Sequence, residues 1–290
     1  MQSIDLNGAV VAVTGAGRGI GKAAAQAFAR SGAKVAIGDV EPELAELAAR
    51  DVDGGSIALA LDVTDPVSVE AFIARTEEQL GPIDVYVNNA GIMPLGRFLE
   101  ESHAITERQF DVNVMGSIYG MKAVLPRMLA RGRGHLVNVA SAAGKVGYPG
   151  GASYCGTKHA IVGITEAVQL ELRGSPIGVS LVMPAIVRTE LTSGIEATRG
   201  LRTIGPEAVA TAIVDSIRTG RFEVYVPREL GPINKAMAAL PRRARERIVR
   251  ALRGDRVLLE IDDVARAAYK QRIERGAAEL ANTTVAEGDE

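Results

Sequence analysis

Short runs of apolar, mostly β-branched residues alternate with helical stretches from residue 9 to about residue 226. Such runs are typical of parallel strands covered on both faces, and strict alternation of strand and helix predicts right-handed crossovers. The predicted strands are Ala9–Thr14, Lys34–Asp39, Ser56–Asp62, Asp84–Val87, His135–Ala140, Gly178–Val182 and Glu223–Val226. The predicted helices are Gly19–Ser31, Pro42–Arg50, Pro66–Leu80, Thr106–Arg131, Ser153–Arg173 and Pro206–Thr219. The predicted fold class is α/β, with a doubly wound parallel sheet of about seven strands and helices on both faces.

The alternation ends near residue 228. Residues 235–253 mix apolar residues with many arginines and are interrupted by Pro241, and a second helical stretch covers roughly Asp262–Leu280. The predicted division is a domain of residues 1–228 followed by a helical C-terminal extension of residues 229–290.

Composition excludes several classes of protein. The chain has 33 basic and 35 acidic residues, a net charge of −2, and so no overall attraction to nucleic acid. Its single cysteine, Cys155, excludes an intramolecular disulfide, and we recognise neither a signal-peptide pattern nor an apolar stretch of about 20 residues. His103, His135 and His159 lack metal-ligand spacing. We therefore expect a cytoplasmic protein without a metal.

Residues 14–21, with the sequence TGAGRGIG, stand between the first predicted strand and the first predicted helix. A tight turn there needs glycine, and glycine lets the backbone approach a pyrophosphate closely. The free N–H groups and positive dipole end of the helix then favour the phosphates. A Gly-rich turn alone is weak evidence, but this context predicts a Rossmann-type dinucleotide site. Its candidate residues are Gly15, Arg18, Gly19, Ile20 and Gly21.

Asp39, at the end of the second predicted strand, is expected to decide between the two nicotinamide cofactors. A carboxylate at this place accepts hydrogen bonds from the ribose hydroxyls and repels a 2′-phosphate. Arg18 points the other way, because a guanidinium can bind a 2′-phosphate, but Val40 and Glu41 add no basic group. The sequence therefore favours NAD, with a solvated strand-end aspartate as the alternative interpretation.

Two further strand ends supply candidate cofactor contacts. Asp62 and Val63 end the third predicted strand, where they could bracket an adenine ring. Asn89, Ala90 and Gly91 follow the fourth, where small residues let a cofactor pass close to the backbone. These residues are candidates because of their position, since ligands of doubly wound sheets bind at the carboxyl ends of the strands.

Tyr154 and Lys158 are four residues apart at the start of a predicted helix and so share one face. Ser141 follows the fifth predicted strand closely, and Asn113 lies in the helix before that strand. Most Tyr–Lys pairs at this spacing simply lie on a solvent-exposed face of a helix and have no catalytic role. The joint occurrence of these four residues with a dinucleotide turn is what indicates a catalytic group.

These segments resemble the short-chain dehydrogenase/reductase family over about residues 5–228. The resemblance rests on residues 14–21, 88–91 (NNAG), 113–116 (NVMG), Ser141, 154–158 (YCGTK) and 184–189 (PAIVRT). It implies a catalytic tetrad of Asn113, Ser141, Tyr154 and Lys158, and cofactor contacts from Tyr154, Lys158, Pro184, Val187 and Thr189. Ala185 departs from the family's usual proline–glycine pair, so we expect a modest adjustment of that loop.

Within this tetrad the resemblance gives Tyr154 the role of general acid/base. Its unperturbed pKa of about 10 is too high for a base near neutrality, and the Lys158 ammonium together with oxidised nicotinamide is expected to lower it. Ser141 is expected to hold the substrate oxygen. Lys158 is also expected to hold the nicotinamide ribose, and Asn113 a water that links Lys158 to solvent. The implied reaction is NAD(H)-dependent interconversion of an alcohol and a ketone.

The segments expected to surround the substrate are mainly apolar. They are Met93–Leu99, Ala142–Gly151 and Glu190–Arg202, with Met93, Leu95, Val146, Tyr148, Leu191, Ile195 and Leu201 as apolar members and Arg199 and Arg202 as basic ones. They favour a hydrophobic secondary alcohol or ketone, although such segments can be apolar simply because they fold against the core. One alternative is an acyl-thioester ketone reductase, which Asp39 disfavours because such reductions usually use NADPH. The other is a non-catalytic NAD-sensing or scaffold protein, which does not need Tyr154 and Lys158 together.

Two features concern partners. Thr106–Arg131 and Ser153–Arg173 correspond to the helices that pair subunits in relatives, which implies a homodimer or a homotetramer. Residues 235–256 carry eight basic and two acidic residues in a partly amphipathic pattern. This pattern predicts either weak peripheral contact with an anionic membrane or packing over the substrate cleft or a neighbouring subunit. Nucleic acid is not an expected partner, because few aromatic residues lie nearby.

Overall fold

The sheet has seven parallel strands in the order β3-β2-β1-β4-β5-β6-β7. The structure is a computed structural model that describes residues 4–52, 55–195, 203–251, 256, 258–259 and 261–273. The strands are β1 Val10–Thr14, β2 Lys34–Asp39, β3 Ile57–Ala60, β4 Val85–Asn88, β5 Gly134–Val139, β6 Ile177–Pro184 and β7 Glu223–Val226. The strand order reverses between β1 and β4, and such a switch point opens a crevice at the carboxyl ends of the strands. The predicted doubly wound α/β fold is confirmed.

Helices cover both faces of this sheet. They are α1 Gly19–Arg30, α2 Pro42–Arg50, α3 Pro66–Leu80, α4 His103–Phe110, α5 Gly116–Arg131, α6 Ala152–Glu171, α7 Pro206–Thr219, α8 Leu230–Ala239 and α9 Arg242–Ala251, followed by a helical segment at 263–273 that we call α10. Side chains of β1 alternate between two apolar cores: Val11 and Val13 belong to one, and Val10 and Ala12 to the other. Burial on both faces explains why the strands are apolar throughout rather than alternating.

The predicted helix Thr106–Arg131 is the main departure from the sequence-based expectation. It is divided into α4, a π-helical turn at Asp111–Met115, and α5. A Cβ at Gly116 would lie 2.8 Å from Val63 Cγ2, so the backbone passes very close to the end of β3 at this point. Single π-turns inside helices occur frequently at functional sites, and this one contains Asn113.

The predicted helical extension is present. Pro241 separates α8 from α9, as expected of a residue that lacks a backbone N–H. The chain then returns to the loop after β6, where Asp262 N donates to Gly194 O at 2.9 Å and Ile261 bridges Ile195. The predicted helix Asp262–Leu280 is observed over 263–273, and the rest of it lies outside the described residues. Within the part of the chain that the structure describes, we find no helix long and apolar enough to span a membrane.

Candidate active site

A cavity of about 1150 Å³ lies at the carboxyl ends of the strands. Sixteen of the eighteen residues predicted from the sequence line it, namely Gly15, Arg18, Gly19, Ile20, Asp39, Asp62, Val63, Asn89, Ala90, Gly91, Ser141, Tyr154, Lys158, Pro184, Val187 and Thr189. Its described lining does not include Gly21 or Asn113. The structure therefore brings the candidate residues of six loops together at one site.

The Gly-rich turn has the geometry of an anion site. Gly15 has a φ of +61°, and a Cβ there would lie 2.7 Å from Ala90 Cα. A Cβ at Gly21 would lie 2.3 Å from Gly15 O, so Gly21 serves the packing of the turn rather than the cavity. Among the described residues no side chain caps the N-terminus of α1. Its first N–H groups, with Gly19 and Ile20 at the cavity wall, fit a pyrophosphate.

Asn89 fixes this turn to the end of β4. Its Nδ2 donates to Thr14 O at 2.9 Å and to Gly15 O at 3.0 Å. In return Thr14 Oγ1 accepts from the backbone N–H groups of Asn89 and Ala90, both at 3.0 Å. Thr14 was not among the predicted site residues. The signal for it was a hydroxyl residue ending an otherwise apolar strand.

Backbone N–H groups hold the Asp39 carboxylate in place. Oδ2 accepts from Gly17 N at 2.9 Å and Oδ1 accepts from Glu41 N at 3.2 Å. The side chain is almost buried at the end of β2 but still lines the cavity. Because each carboxylate oxygen has a second lone pair, both can also accept from the hydroxyls of a ribose.

Arg18 is held by two carboxylates. It forms ion pairs with Glu41 and, at 2.8 Å, with Glu190 from the loop after β6. Burial disfavours the charged guanidinium, but the hydrogen bond to Glu190 and the two carboxylates outweigh it, so the pKa of Arg18 is raised. Arg272 of α10 also pairs with both Glu41 and Glu190, which closes a ring of four charges that all line the cavity. Sequence reasoning identified Arg18 but missed its partners.

At the end of β3, the Asp62 carboxylate stabilises its own loop. Oδ1 accepts from Thr64 N at 2.9 Å and from Thr64 Oγ1 at 2.7 Å. Oδ2 has no hydrogen bond within the described part of the chain and is available beside Val63, which also lines the cavity. This arrangement suits the amino group of an adenine ring.

The helix α6 places Tyr154 and Lys158 one turn apart, both buried at the cavity wall. Lys158 Nζ lies 5.8 Å from the centroid of the Tyr154 ring and donates to Val139 O at 3.1 Å. Ser141 directly follows Ala140 after β5, and its Oγ accepts from Ala143 N at 3.1 Å. A phenol, an ammonium and a hydroxyl are thus brought to one point from two elements.

Burial dominates the proton affinities of these groups. It raises the pKa of Tyr154 well above its ordinary value of 10, against a smaller lowering effect of the Ser141 side chain. It lowers the pKa of Lys158 to about 8. The protein groups alone therefore do not lower the pKa of Tyr154, because desolvation of the phenolate outweighs them, and the lowering by Lys158 together with oxidised nicotinamide stays a prediction. A phenol with a raised pKa is suited to donating a proton, and accepting one requires additional positive charge beside it.

Asn113 joins two loops behind the cavity. Its Oδ1 accepts from Ile92 N at 2.8 Å, and its Nδ2 donates to Ile92 O at 2.9 Å and to Thr157 Oγ1 at 3.0 Å. A Cβ at Gly91 would lie 3.2 Å from Asn113 Oδ1 and 3.7 Å from Lys158 Nζ. Asn113 is therefore close to Lys158, and its amide fixes α6 relative to the loop after β4.

The side of the cavity beyond Tyr154 is apolar. Met93, Ala143, Tyr154 and Cys155 form a buried cluster, against which Leu95, Tyr148, Leu191 and Ile195 pack. Cys155 packs in this cluster and its Sγ accepts from Tyr148 N at 3.3 Å. Val146 is not part of the described cavity lining. The predicted members Arg199, Leu201 and Arg202 lie outside the described residues.

The C-terminal extension also contributes to the site, through Leu230, Asn234, Leu258, Tyr269, Arg272 and Ile273. Packing over the substrate cleft was one interpretation of residues 235–256, but the extension residues in the described cavity lining lie on either side of that range, at 230 and 234 and within 258–273. The signal was the four-residue spacing of Tyr269 and Ile273, which places both on one helix face. The described residues include no group of three or more His, Cys, Asp or Glu side chains that could hold a metal ion.

Comparison with known proteins agrees with this geometry. Residues 9–200 match the family described as short chain dehydrogenase. The chain is 38% identical to sorbitol dehydrogenase of Cereibacter sphaeroides, in an alignment that covers 66% of this chain and 75% of that protein. It is also 38% identical to galactitol 2-dehydrogenase of Agrobacterium fabrum, with 75% of this chain and 86% of that protein covered. A short-chain dehydrogenase/reductase from Burkholderia phymatum, solved in complex with NAD, superimposes with a TM-score of 0.74 at 28% identity, over 80% of this chain and 93% of that one. The chain belongs to the short-chain dehydrogenase/reductase family of oxidoreductases.

Proposed function

We propose that this oxidoreductase uses NAD(H) to interconvert a hydrophobic secondary alcohol and a ketone, with Tyr154 as the general acid/base. The observation that carries this proposal is that the buried Tyr154 and Lys158 and the half-buried Ser141 line the same cavity as the Gly-rich turn and Asp39. A pure NAD sensor would need the turn and Asp39 but not the buried Tyr–Lys pair.

The lining residues fit NAD from one end of the cavity to the other. Gly15, Gly19 and Ile20 with the N-terminus of α1 would hold the pyrophosphate, Asp39 the adenosine ribose, and Asp62 and Val63 the adenine. Asn89, Ala90 and Gly91 would border the cofactor, Lys158 would bind the second ribose, and Pro184, Val187 and Thr189 would contact the carboxamide. NAD supplies the hydride acceptor for oxidation, and NADH the hydride donor for reduction.

Two carboxylates favour NAD over NADP. Asp39 and Glu41 both line the cavity at the end of β2, beside the proposed adenosine ribose, and would repel a 2′-phosphate bound there. Arg18, the residue that could bind such a phosphate, is already paired with Glu41 and Glu190. This also weighs against an NADPH-dependent acyl-thioester reductase.

Proton handling falls to the chain itself. In reduction, Tyr154 Oη donates its proton to the carbonyl oxygen of the substrate while Ser141 Oγ stabilises the charge that develops there. In oxidation the proton moves in reverse, from the alcohol to a Tyr154 phenolate stabilised by the Lys158 ammonium. Asn113 acts as a positioning residue, because its hydrogen bonds fix α6 beside Ile92.

The substrate side supports an apolar compound. Met93 and Tyr154 belong to one buried cluster, and Leu191 and Ile195 pack against it. Ile273 adds a further apolar side chain to the cavity lining. A sugar alcohol, which the names of the two relatives suggest, would require hydrogen-bonding partners for several hydroxyls. The polyol is therefore the second candidate, and a substrate panel must include it.

The decisive experiment is Tyr154→Phe, with Tyr225→Phe on β7 as the matched control. We expect Tyr154→Phe to bind NADH with wild-type affinity in a fluorescence titration but to lose nearly all turnover of lipophilic ketones. Tyr225→Phe should retain both NADH binding and turnover of the ketones. Turnover by Tyr154→Phe within a few-fold of wild type would refute the assignment, and a preference of the wild type for sorbitol over lipophilic alcohols would refute the substrate class.

A homodimer or homotetramer is part of the proposal. Phe110 on α4, Leu129 on α5 and Leu170 on α6 are exposed by 40%, 44% and 55%. These are the helices expected to pair subunits, and exposed large apolar side chains support burial in an interface. Light scattering after size-exclusion chromatography measures the state directly. We also propose a cytoplasmic location, which suits the single free, buried cysteine.

The extension 229–290 would follow the domain 1–228 and add a weak membrane contact. All residues of α9 are exposed or half-buried, and the exposed apolar residues Ile233, Leu240 and Ile248 lie along the same stretch of chain as Lys235 and the arginines of α9. Such a surface is attracted to anionic lipid. Co-sedimentation with phosphatidylserine vesicles should fall when Arg243, Arg245 and Arg247 are changed to Gln, and equal sedimentation would remove this proposal.

A further inference from the structure

The helix α10 presents one face to the cavity. Tyr269 and Ile273, four residues apart, are 6% and 8% exposed and both line the cavity. Val264, on the same helix, is 87% exposed and faces solvent. The helix therefore packs as an amphipathic cover, and Leu258, which precedes it in the chain, is a third buried apolar residue in the cavity wall.

Tyr269 is fastened to the loop that borders the substrate side. Its hydroxyl accepts a hydrogen bond from Met93 N at 2.7 Å, and Met93 belongs to the apolar cluster around Tyr154. Because a tyrosine hydroxyl so buried needs a partner, this hydrogen bond fixes the depth to which the ring enters the cavity.

Two arginines of the same helix fix the orientation of the ring. The Arg266 guanidinium lies 4.8 Å from the ring centroid, and that of Arg272 lies 5.7 Å from it, both within cation–π range. Arg266 is almost wholly buried and donates to Leu191 O at 3.1 Å, to Ser193 O at 2.9 Å and to Met93 O. It thus joins α10 to both loops that flank the substrate side.

Tyr269 is also close to the reacting group. Both tyrosines line the same cavity, and the hydroxyl of Tyr269 is bound to Met93, which shares a buried cluster with Tyr154. A rigid aromatic ring in the wall of this cavity limits the volume available to a substituent on the reacting carbon.

We propose that Tyr269 is a specificity-determining residue, which forms the C-terminal wall of the substrate pocket and limits the size of one substituent of the ketone or alcohol. This inference rests on the proposed function, since it assumes that the apolar side of the cavity receives the substrate. The class selected is a secondary alcohol or ketone with one small and one larger apolar group.

The test compares Tyr269→Ala with Tyr269→Phe and with the exposed control Val264→Ala. The probes are 2-butanone and a phenyl ketone with a bulky second substituent, and kcat/KM is measured for both with NADH. We expect Tyr269→Ala to raise the ratio of bulky to small substrate about tenfold or more, within the range that pocket contacts give. Tyr269→Phe, which keeps the ring, should change the ratio only slightly, and Val264→Ala not at all.

Binding provides a readout that does not depend on turnover. The affinity of both ketones for the NADH complex is measured by NADH fluorescence in a Tyr154→Phe background, with Tyr269→Leu as a milder variant should Tyr269→Ala unfold. A shift of relative affinity toward the bulky ketone supports the proposed role of Tyr269, whether or not the wild type reduces either compound. A wild type that reduces neither ketone would count against the proposed function instead. Equal changes for both ketones, in rate and in affinity, overturn it.

Discussion

Arg18 and Glu190 form an ion pair of 2.8 Å although 172 residues separate them in the chain. Arg18 stands in the Gly-rich turn after β1 and Glu190 in the loop after β6, so the pair spans the cavity between its proposed pyrophosphate and nicotinamide ends. Glu41 and Arg272 complete the ring of charges. Because these ion pairs connect both sides of the cleft and α10, we expect some of them to break whenever a dinucleotide enters or leaves.

Glu190→Gln should therefore speed the release of NADH. Arg18 and Arg272 each lose their ion pair with Glu190, and because these groups are partly exposed we expect an effect of about 1 kcal/mol, or a few-fold in rate. Stopped-flow displacement of NADH measures the rate directly. In the wild type release should also accelerate with added salt, since salt screens exposed charges. The control is Glu70→Gln, which removes a partner of Arg127 far from the cavity; a release rate in Glu190→Gln equal to that of this control would contradict the prediction.

Asp39→Asn should relax the preference for NAD. The variant keeps an acceptor oxygen for a backbone N–H but removes one of the two charges that face a 2′-phosphate. We expect the ratio of kcat/KM for NADP to that for NAD to rise about tenfold, which corresponds to about 1.4 kcal/mol. Adding Glu41→Gln should raise it further by freeing Arg18 from one partner. An unchanged ratio in both variants would show that the preference is set elsewhere.

Local patterns were sufficient to predict most of the fold. The boundaries of β2, β7, α2, α3 and α7 agree with the sequence-based prediction. The strands are recognisable because both faces are buried, which makes them short apolar runs between turns. Tyr154 and Lys158 were predictable for a similar reason, because a four-residue spacing within one helix fixes their relative position without knowledge of the rest of the chain.

Relationships between distant segments could not be predicted in this way. The two carboxylate partners of Arg18 come from the loops after β2 and β6, and nothing near residue 18 indicates which carboxylates will reach it. The π-turn that contains Asn113 ends where Gly116 passes close to Val63, and this contact joins residues far apart in the chain. The role of Tyr269 depends on the path of the chain after α9, which brings Asp262 back to Gly194.

Asn113→Ala should lower stability as well as turnover. The change leaves the half-buried N–H and carbonyl of Ile92 without their side-chain partner, so we expect a loss near the lower end of the about 1–3 kcal/mol that an unsatisfied buried polar group costs. Urea unfolding measures the loss of stability, and kcat in the folded range measures the consequence for Lys158 on α6. Loss of turnover with unchanged stability would mean that Asn113 acts on the reaction and not through the position of α6.

His135 should make the protein less stable in mild acid. It lies on β5 with 1% exposure; its Nε2 is 2.8 Å from Ser180 Oγ, and its Nδ1 has no hydrogen-bond partner among the described residues. Burial lowers its pKa from 6.5 to about 4, so between these values the unfolded chain binds a proton that the folded chain does not. Stability is therefore lost as the pH falls below 6.5, by about 2 kcal/mol at pH 5.

The variant His135→Leu removes this titration and leaves Ser180 Oγ its bond to Arg221 O at 2.8 Å. Urea unfolding at pH 7.5 and at pH 5 should show a smaller loss of unfolding free energy in His135→Leu than in the wild type, whatever the absolute stability of the variant. The difference between the two losses isolates His135, because the other titrating groups are common to both proteins. Equal losses would mean that the imidazole is protonated in the folded state and that the space around it adjusts to the charge.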